Sequence, residues 1–489
     1  MSDSSLSHSK KAVTGIFWTS VQKIGSMVIS FGSNIVLARL LTPTDFGSIG
    51  MIMVFINLSN VFIDGGFGAA LIQKKETSET DYSTIFYWNI IFSIFIYFIL
   101  FFCSPLIADF YRIEQLENIL KVLGLVLFTN ALAIIQNVKL RKAMEFKLPA
   151  IALIISSLIA LALTIIMAFK GYGVWSLVAF QLCQSGTNSL ILWIWAKWKP
   201  ILEFSWESFK HLFKFGAYLL MSTLLGTLGV QLQSLFIGRI CSTDTLGYFT
   251  QARNLEQAPT NAIYSIVGQV AFPLFSAHQS NPLRMADVCR RMVACVGFFI
   301  IPLMFLFIIL AQPIFIFLLS AKWLPAVPYF QILCFAGIVT SLDNINYYAV
   351  AASGASKLIF KWSIIKNLIA IALISTGIIW DIYGILLAVV ISCYINFFID
   401  MFLIKYKLGM PVMKQLTFLL SPFFISLFLL ILIMLAINFN LTNEFVGAIT
   451  FLLIYSAISY LFKFKSLEMS KEALLQFIKK RNISASLSR

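Results

Sequence analysis

The chain reads as an all-α, polytopic membrane protein of about 14 transmembrane helices, arranged as two pseudo-symmetric six-helix bundles followed by two further helices. Three observations predict this. Of 489 residues, 60% are hydrophobic and 12% charged, with a mean hydropathy of +0.89, outside the range of soluble domains. Apolar runs long enough to cross a ~30 Å hydrocarbon core recur from residue 13 to residue 463 with little between them. A short turn is also written twice, 200 residues apart.

In chain order, the runs 13–38, 46–72, 85–107, 119–138, 148–169 and 174–196 make a first bundle within residues 1–200. The runs 214–240, 247–275, 289–311, 327–351, 357–379 and 382–404 make a second within 201–410, the pair 416–437 and 446–463 fills 411–465, and 466–489 is a cytoplasmic tail. Helices are predicted over barrel strands because each run is continuously apolar rather than alternating, and lipid forces backbone groups to bond within their own segment. The first run follows Lys10 and Lys11, but it is too long for a signal-peptide core and lacks a small-residue cleavage site, so it is expected to remain. Between the sixth and seventh runs, "FSWESFKHLFKFG" offers Ser205 as an N-cap and puts Phe209, Leu212 and Phe213 on one face, with Lys210 and Lys214 on another. That pattern predicts an interfacial helix, as does the tail "SLEMSKEALLQFIKKRNISASLSR".

Numbering the connections alternately sorts the 36 lysines and arginines: 27 fall on one side, five on the other (Arg39, Arg112, Lys170, Arg239, Lys322) and four inside helices (Lys23, Lys121, Arg253, Lys366). The positive-inside rule then places both termini in the cytoplasm, as an even number of helices requires. Orientation therefore accounts for the net charge of +15, and nucleic acid is not expected as a partner. No connection is long enough for a soluble catalytic domain. The seven cysteines are scattered singly, the three histidines all fall on the cytoplasmic side, and HExxH, GxSxG and phosphate-loop patterns are absent, so no metal site, cofactor site or enzyme centre is indicated.

"ARLLTPTDFGSIG" at 38–50 is echoed by "GRICSTDTLGYFT" at 238–250, with Arg39 on Arg239 and Gly47 on Gly247. The first and seventh runs share a direction, so both turns are predicted on the outer face of a parallel repeat. "YGV" at Tyr172 and "YGI" at Tyr383, opening the sixth and twelfth runs, repeat the same relation. Each arginine is expected to meet helix C-terminal carbonyls and each glycine to allow tight entry of the next helix.

Longer stretches carry a resemblance. "GIFWTSVQKIGSMVISFGSNIVLARLLTPTDFGSIG", "GFGAALIQKKE", "LGYFTQARNLEQAPTNAIYSIVGQVAFPLFSAHQ" and "LSAKWLPAVPYFQILCFAGIVTSL" follow one another in the order seen in bacterial polysaccharide flippases. They resemble the Wzx type, colanic-acid-exporter branch, of the multidrug/oligosaccharidyl-lipid/polysaccharide exporter superfamily, over nearly the whole chain. The resemblance implies a V-shaped pair of bundles and alternating access. It implies export of undecaprenyl-pyrophosphate-linked oligosaccharide across the inner membrane, for O-antigen, capsule or exopolysaccharide. Membrane lipids, a polysaccharide polymerase and a chain-length regulator are the further partners it suggests, and a proton or sodium gradient is the energy source it leaves open.

Intramembrane charges cost about 2.5–3.5 kcal/mol each on insertion scales, so each needs a reason. Lys23 and Asp64 reach comparable depth on the first two helices, Asp343 and Lys366 match on the tenth and eleventh, and Arg253 and Glu256 share a face of the eighth. One reading has Lys23, Arg253 and Lys366 lining a cleft and holding a pyrophosphate; the other has all six neutralising each other in pairs. The resemblance favours the first for Lys23 and Arg253, which match basic positions of related lipid-linked-precursor flippases. Asn34, Asn57, Gln231, Gln233 and Asn346 are candidate cleft groups for sugar hydroxyls, or interhelical glue. Tyr218, Tyr264, Tyr347 and Tyr348 are candidates for stacking on sugar faces. "DGGFG" at 64–68 is expected to bend the second helix or bring it close to another, and Ser222 with Gly226 is a small-residue pair suited to close packing. Among rivals, a membrane glycosyltransferase would need acidic catalytic residues on a sizeable outer loop, which the chain lacks, and a bare scaffold leaves paired intramembrane charges unexplained. A multidrug antiporter of the same superfamily would use Asp64, Glu256 or Asp343 for coupling, and twelve helices would suit it better than fourteen.

Overall fold

The computed structural model describes residues 3–468 apart from 75, 277, 280, 463, 465 and 466. The predicted tail helix lies outside these residues. Seventeen α-helices follow in order: α1 Asp3–Leu40, α2 Pro43–Asp64, α3 Phe67–Gln73, α4 Glu79–Tyr111, α5 Gln115–Leu123, α6 Leu125–Lys142, α7 Lys147–Phe169, α8 Val174–Ala196 and α9 Trp206–Ile240. Then come α10 Thr243–Ser276, α11 Pro282–Ile309, α12 Ala311–Leu318, α13 Val327–Ala352, α14 Ser356–Gly377, α15 Asp381–Leu408, α16 Val412–Asn438 and α17 Glu444–Leu461. No strand occurs among the described residues. Among the described residues, ten helical stretches are long and apolar enough to cross a membrane, so the protein is a multi-pass membrane protein.

Polar side chains set the helix starts. Thr42 and Ser78 open α2 and α4 with capping boxes completed by Asp45 and Asp81, each answering two otherwise orphaned amides. Ser205, Asn281 and Asn443 accept from the amides of Ser208, Arg284 and Val446. The predicted second helix is interrupted: Gly65 and Gly66 both adopt left-handed φ (56° and 73°) and separate α2 from α3. Close contact is the other half of that break, since a Cβ on Gly66 would lie 2.5 Å from Gly216 O in α9.

The chain divides into two compact units, Met1–Thr250 and Gln251–Arg489. In the first, α1 packs on α7, α7 on α8, α8 on α6, α6 on α4, and α2 on α9. At one end, Phe67, Phe86, Trp198, Phe209 and Leu212 share a buried cluster, and the Lys74–Asp81 and Lys139–Glu79 ion pairs (both 2.7 Å) lace the connections over it. This corrects the interfacial helix predicted over 204–216. Ser205 is the N-cap, but the segment forms the first turns of α9 itself, because Phe209 and Leu212 are buried against α3 and α4 rather than laid on a membrane surface. In the second unit α13 and α14 flank α15, while α11 touches α13, α16 and α17. Trp323, Phe305, Phe315 and Phe330 are fully buried there.

Candidate functional site

The duplicated turns meet each other. Thr44 Oγ1 donates to Asp244 Oδ1 at 2.6 Å, across 200 residues of chain. The caps correspond as well: Thr42 accepts from the amide of Asp45 (3.3 Å), and Ser242 from that of Thr245 (3.2 Å). Gly47 and Gly247 lie inside their helices, and a Cβ on either would come within 2.0 Å of a carbonyl oxygen of the other turn, Thr243 O and Pro43 O respectively. Their role is therefore close approach of one hairpin to the other, not the helix entry expected from sequence. Arg39 and Arg239 lie in the last turns of α1 and α9, and the Arg239 guanidinium lies 5.3 Å from the Phe110 ring centroid.

Below this contact, Asn57, Thr223, Thr227 and Gln231 line a hollow of about 570 Å³ within the first unit. Two of the five predicted cleft groups are thus brought together. Gly226 faces this space with nothing within 4 Å of its Cβ position, so the close packing expected of Ser222 and Gly226 is not made. Asn34 is half-buried on α1 and Gln233 is buried on α9. Lys23 is exposed and makes no ion pair with Asp64. Asp64 is taken up locally: its carboxylate accepts the backbone amides of Gly66 and Gly68 at the start of α3, with Arg141 the nearby cation.

In the second unit Glu256 is buried, accepts from Thr260 Oγ1 (2.9 Å) and feels the charge of Arg253 one turn earlier. Gly337 of α13 leaves it room, since a Cβ there would sit 2.5 Å from Glu256 Oε1. Lys366 of α14 lies 4.0 Å from Asp343 but 2.5 Å from Asp400 of α15. The expected pair is thus a triad, and Asp400 was missed by the sequence reading although it falls within the run 382–404. It lies four residues from the end of that run, and the fold buries it at 4% exposure. Asp343 Oδ1, Asp400 Oδ2 and Asn396 Oδ1 are buried without a hydrogen-bond partner among the described residues. Tyr347 lines the same small recess as Lys366 and Asp400 and leads to Tyr348 and Tyr264, with ring centroids 5.8 and 5.9 Å apart in turn. Asn346 does not face a cleft: it is fully buried, exchanging hydrogen bonds with Gln415 of α16 at 3.3 and 3.5 Å.

The family described as "Polysaccharide biosynthesis protein" matches residues 36–328, more than half the chain and including both turns, the hollow lined by Asn57 and Gln231, and Arg253 with Glu256. The chain belongs to this family. Among relatives of the family member described here, "Teichuronic acid biosynthesis protein TuaB" of Bacillus subtilis is 26% identical over 406 residues, covering 81% of this chain and 83% of its own. "Lipopolysaccharide biosynthesis protein WzxC" of Escherichia coli is 23% identical over 409 residues, 82% of each. The fold is similar to that of "Lipid II flippase MurJ, inward closed conformation", with TM-score 0.72 and 18% identity over 92% of this chain and 99% of that one.

Proposed function

We propose that the protein is a flippase that moves undecaprenyl-pyrophosphate-linked oligosaccharide from the cytoplasmic to the periplasmic leaflet by alternating access. The observation that carries this reading is the family match, which spans the duplicated turns and the carboxamide-lined hollow. Asn57 and Gln231 are suited to sugar hydroxyls. Lys23 and Arg253 are the cations for the pyrophosphate: an exposed ammonium on α1 supplies a point charge, and a guanidinium supplies forked donors. The bundles 1–200 and 201–410 are the moving bodies, and the Thr44–Asp244 contact is the latch between their turns. Asp343, Lys366 and Asp400 are the groups placed to couple the movement to an ion gradient, because Asp343 and Asp400 each keep a carboxylate oxygen with no hydrogen-bond partner among the described residues, able to accept a proton or cation. The 27-to-5 charge split supports an inner-membrane protein with both termini cytoplasmic.

The test is surface polysaccharide in a strain whose only copy carries Lys23→Ala or Arg253→Ala. Each should abolish or cut export more than tenfold at normal protein abundance. Export per molecule that stays normal while abundance falls would assign both residues to folding instead.

A further inference from the structure

A groove of about 870 Å³ opens in the second unit between α11, α16 and the residues Phe462 and Phe464 beyond α17. Phe418, Phe424, Phe462 and Phe464 supply much of its wall, and Arg290 and Lys414 are the two cations that line it. A smaller hollow of about 180 Å³ shares both cations and reaches Asp287 and Gly409. The groove starts at a helix end, since Lys414 is the third residue of α16 and Phe462 follows α17 directly. From Lys414 it follows α16 to Ile425, roughly 16 Å at 1.5 Å per residue.

Charge at that end is unbalanced. Asp287 is shared by Arg290 and Arg291, whose Nε lies 2.9 Å from its carboxylate. Lys414 is exposed and has no acidic partner among the described residues. Arg290 also stacks over the Phe418 ring (5.7 Å), and its Nε is buried with no hydrogen-bond partner among the described residues. Among the described residues, three cations against one acid therefore stand where an apolar groove opens at a helix end. An amphiphile with an anionic head and hydrocarbon tails answers both features at once, because basic recesses at helix ends attract lipid phosphates while the aromatic wall replaces lipid contacts for the chains. The undescribed segment 469–489 is a poor occupant, since it carries five basic residues against one acid and would add positive charge to a positive site.

We infer that this groove holds an anionic phospholipid of the surrounding membrane, its phosphodiester between Arg290 and Lys414 and an acyl chain along α16. The inference does not depend on the cargo proposed above. It is tested by native mass spectrometry of the full chain released from mixed micelles containing equal phosphatidylglycerol and phosphatidylcholine. Phosphatidylglycerol should be retained at least fivefold over phosphatidylcholine. Lys414→Gln, which removes the partnerless charge, and Ser421→Trp, which fills the groove from an exposed position, should each cut that retention at least fivefold without altering elution of the protein. Equal retention of the two lipids, or retention untouched by both variants, overturns the assignment. So does undecaprenyl phosphate displacing phosphatidylglycerol without being displaced by it, which would make the groove a cargo site. A gain in phosphatidylglycerol retention on removing 469–489 overturns it in favour of that segment.

Discussion

Lys366 meets two carboxylates inside the second unit. Its ammonium serves Asp400 at 2.5 Å and Asp343 at 4.0 Å, with side-chain exposures of only 15, 6 and 24%. Breaking a buried charge pair costs about 3–5 kcal/mol because the abandoned charge stays desolvated. Lys366→Met abandons two carboxylates, while Asp400→Asn leaves Lys366 with Asp343. We therefore expect the apparent melting temperature in detergent to fall most for Lys366→Met, less for Asp400→Asn, and to recover partly when the two are combined. Melting of Lys366→Met within a degree of the parent would show that water reaches the site freely. Asn346 illustrates the quieter use of polarity in lipid: its exchange with Gln415 ties α13 to α16, a contribution of about 0.6–2 kcal/mol.

At the scale of elements, the hairpins α1–α2 and α9–α10 are one design used twice. Equivalent positions are buried in both copies, Leu37 with Ile237 and Ser33 with Gln233. The two meet glycine to backbone, which leaves no space for side chains between them. A latch of this kind has to part if substrate leaves past it. Cysteines at Thr44 and Asp244, whose side chains touch, should form a disulfide on mild oxidation that stops export, with recovery on reduction. Quantitative crosslinking with unchanged export would mean that the turns never separate, and alternating access through them would be wrong.

Over the whole molecule, the distribution of basic residues makes a claim about direction. Single cysteines at Thr44, Thr243 and Asn443 should react with impermeant reagents added outside the cell, and those at Ser78 and Ser205 should not. The latter two cap α4 and α9 beside the Lys74–Asp81 and Lys139–Glu79 pairs. Inverted labelling would reverse the orientation and the proposed direction of transport.

Composition and run length by themselves determined that this is an all-α protein of the membrane, because lipid leaves the backbone no other way to satisfy its polar groups than helices when the runs are continuously apolar. The register of the duplicated turn was equally legible, being written in residues 200 apart. Depth arithmetic along helices brought Asp343 to Lys366, since 1.5 Å per residue is fixed by helix geometry. What it could not supply was azimuth, the direction in which each side chain leaves its helix. Only the packing of α13, α14 and α15 added Asp400 to that pair, sent Asn346 into a buried contact with Gln415, and turned Gly47 and Gly247 toward each other's turn. Likewise, Lys23 and Asp64 match in depth yet do not pair, because the left-handed break at Gly65 and Gly66 gives Asp64 the amides of α3 to hold instead.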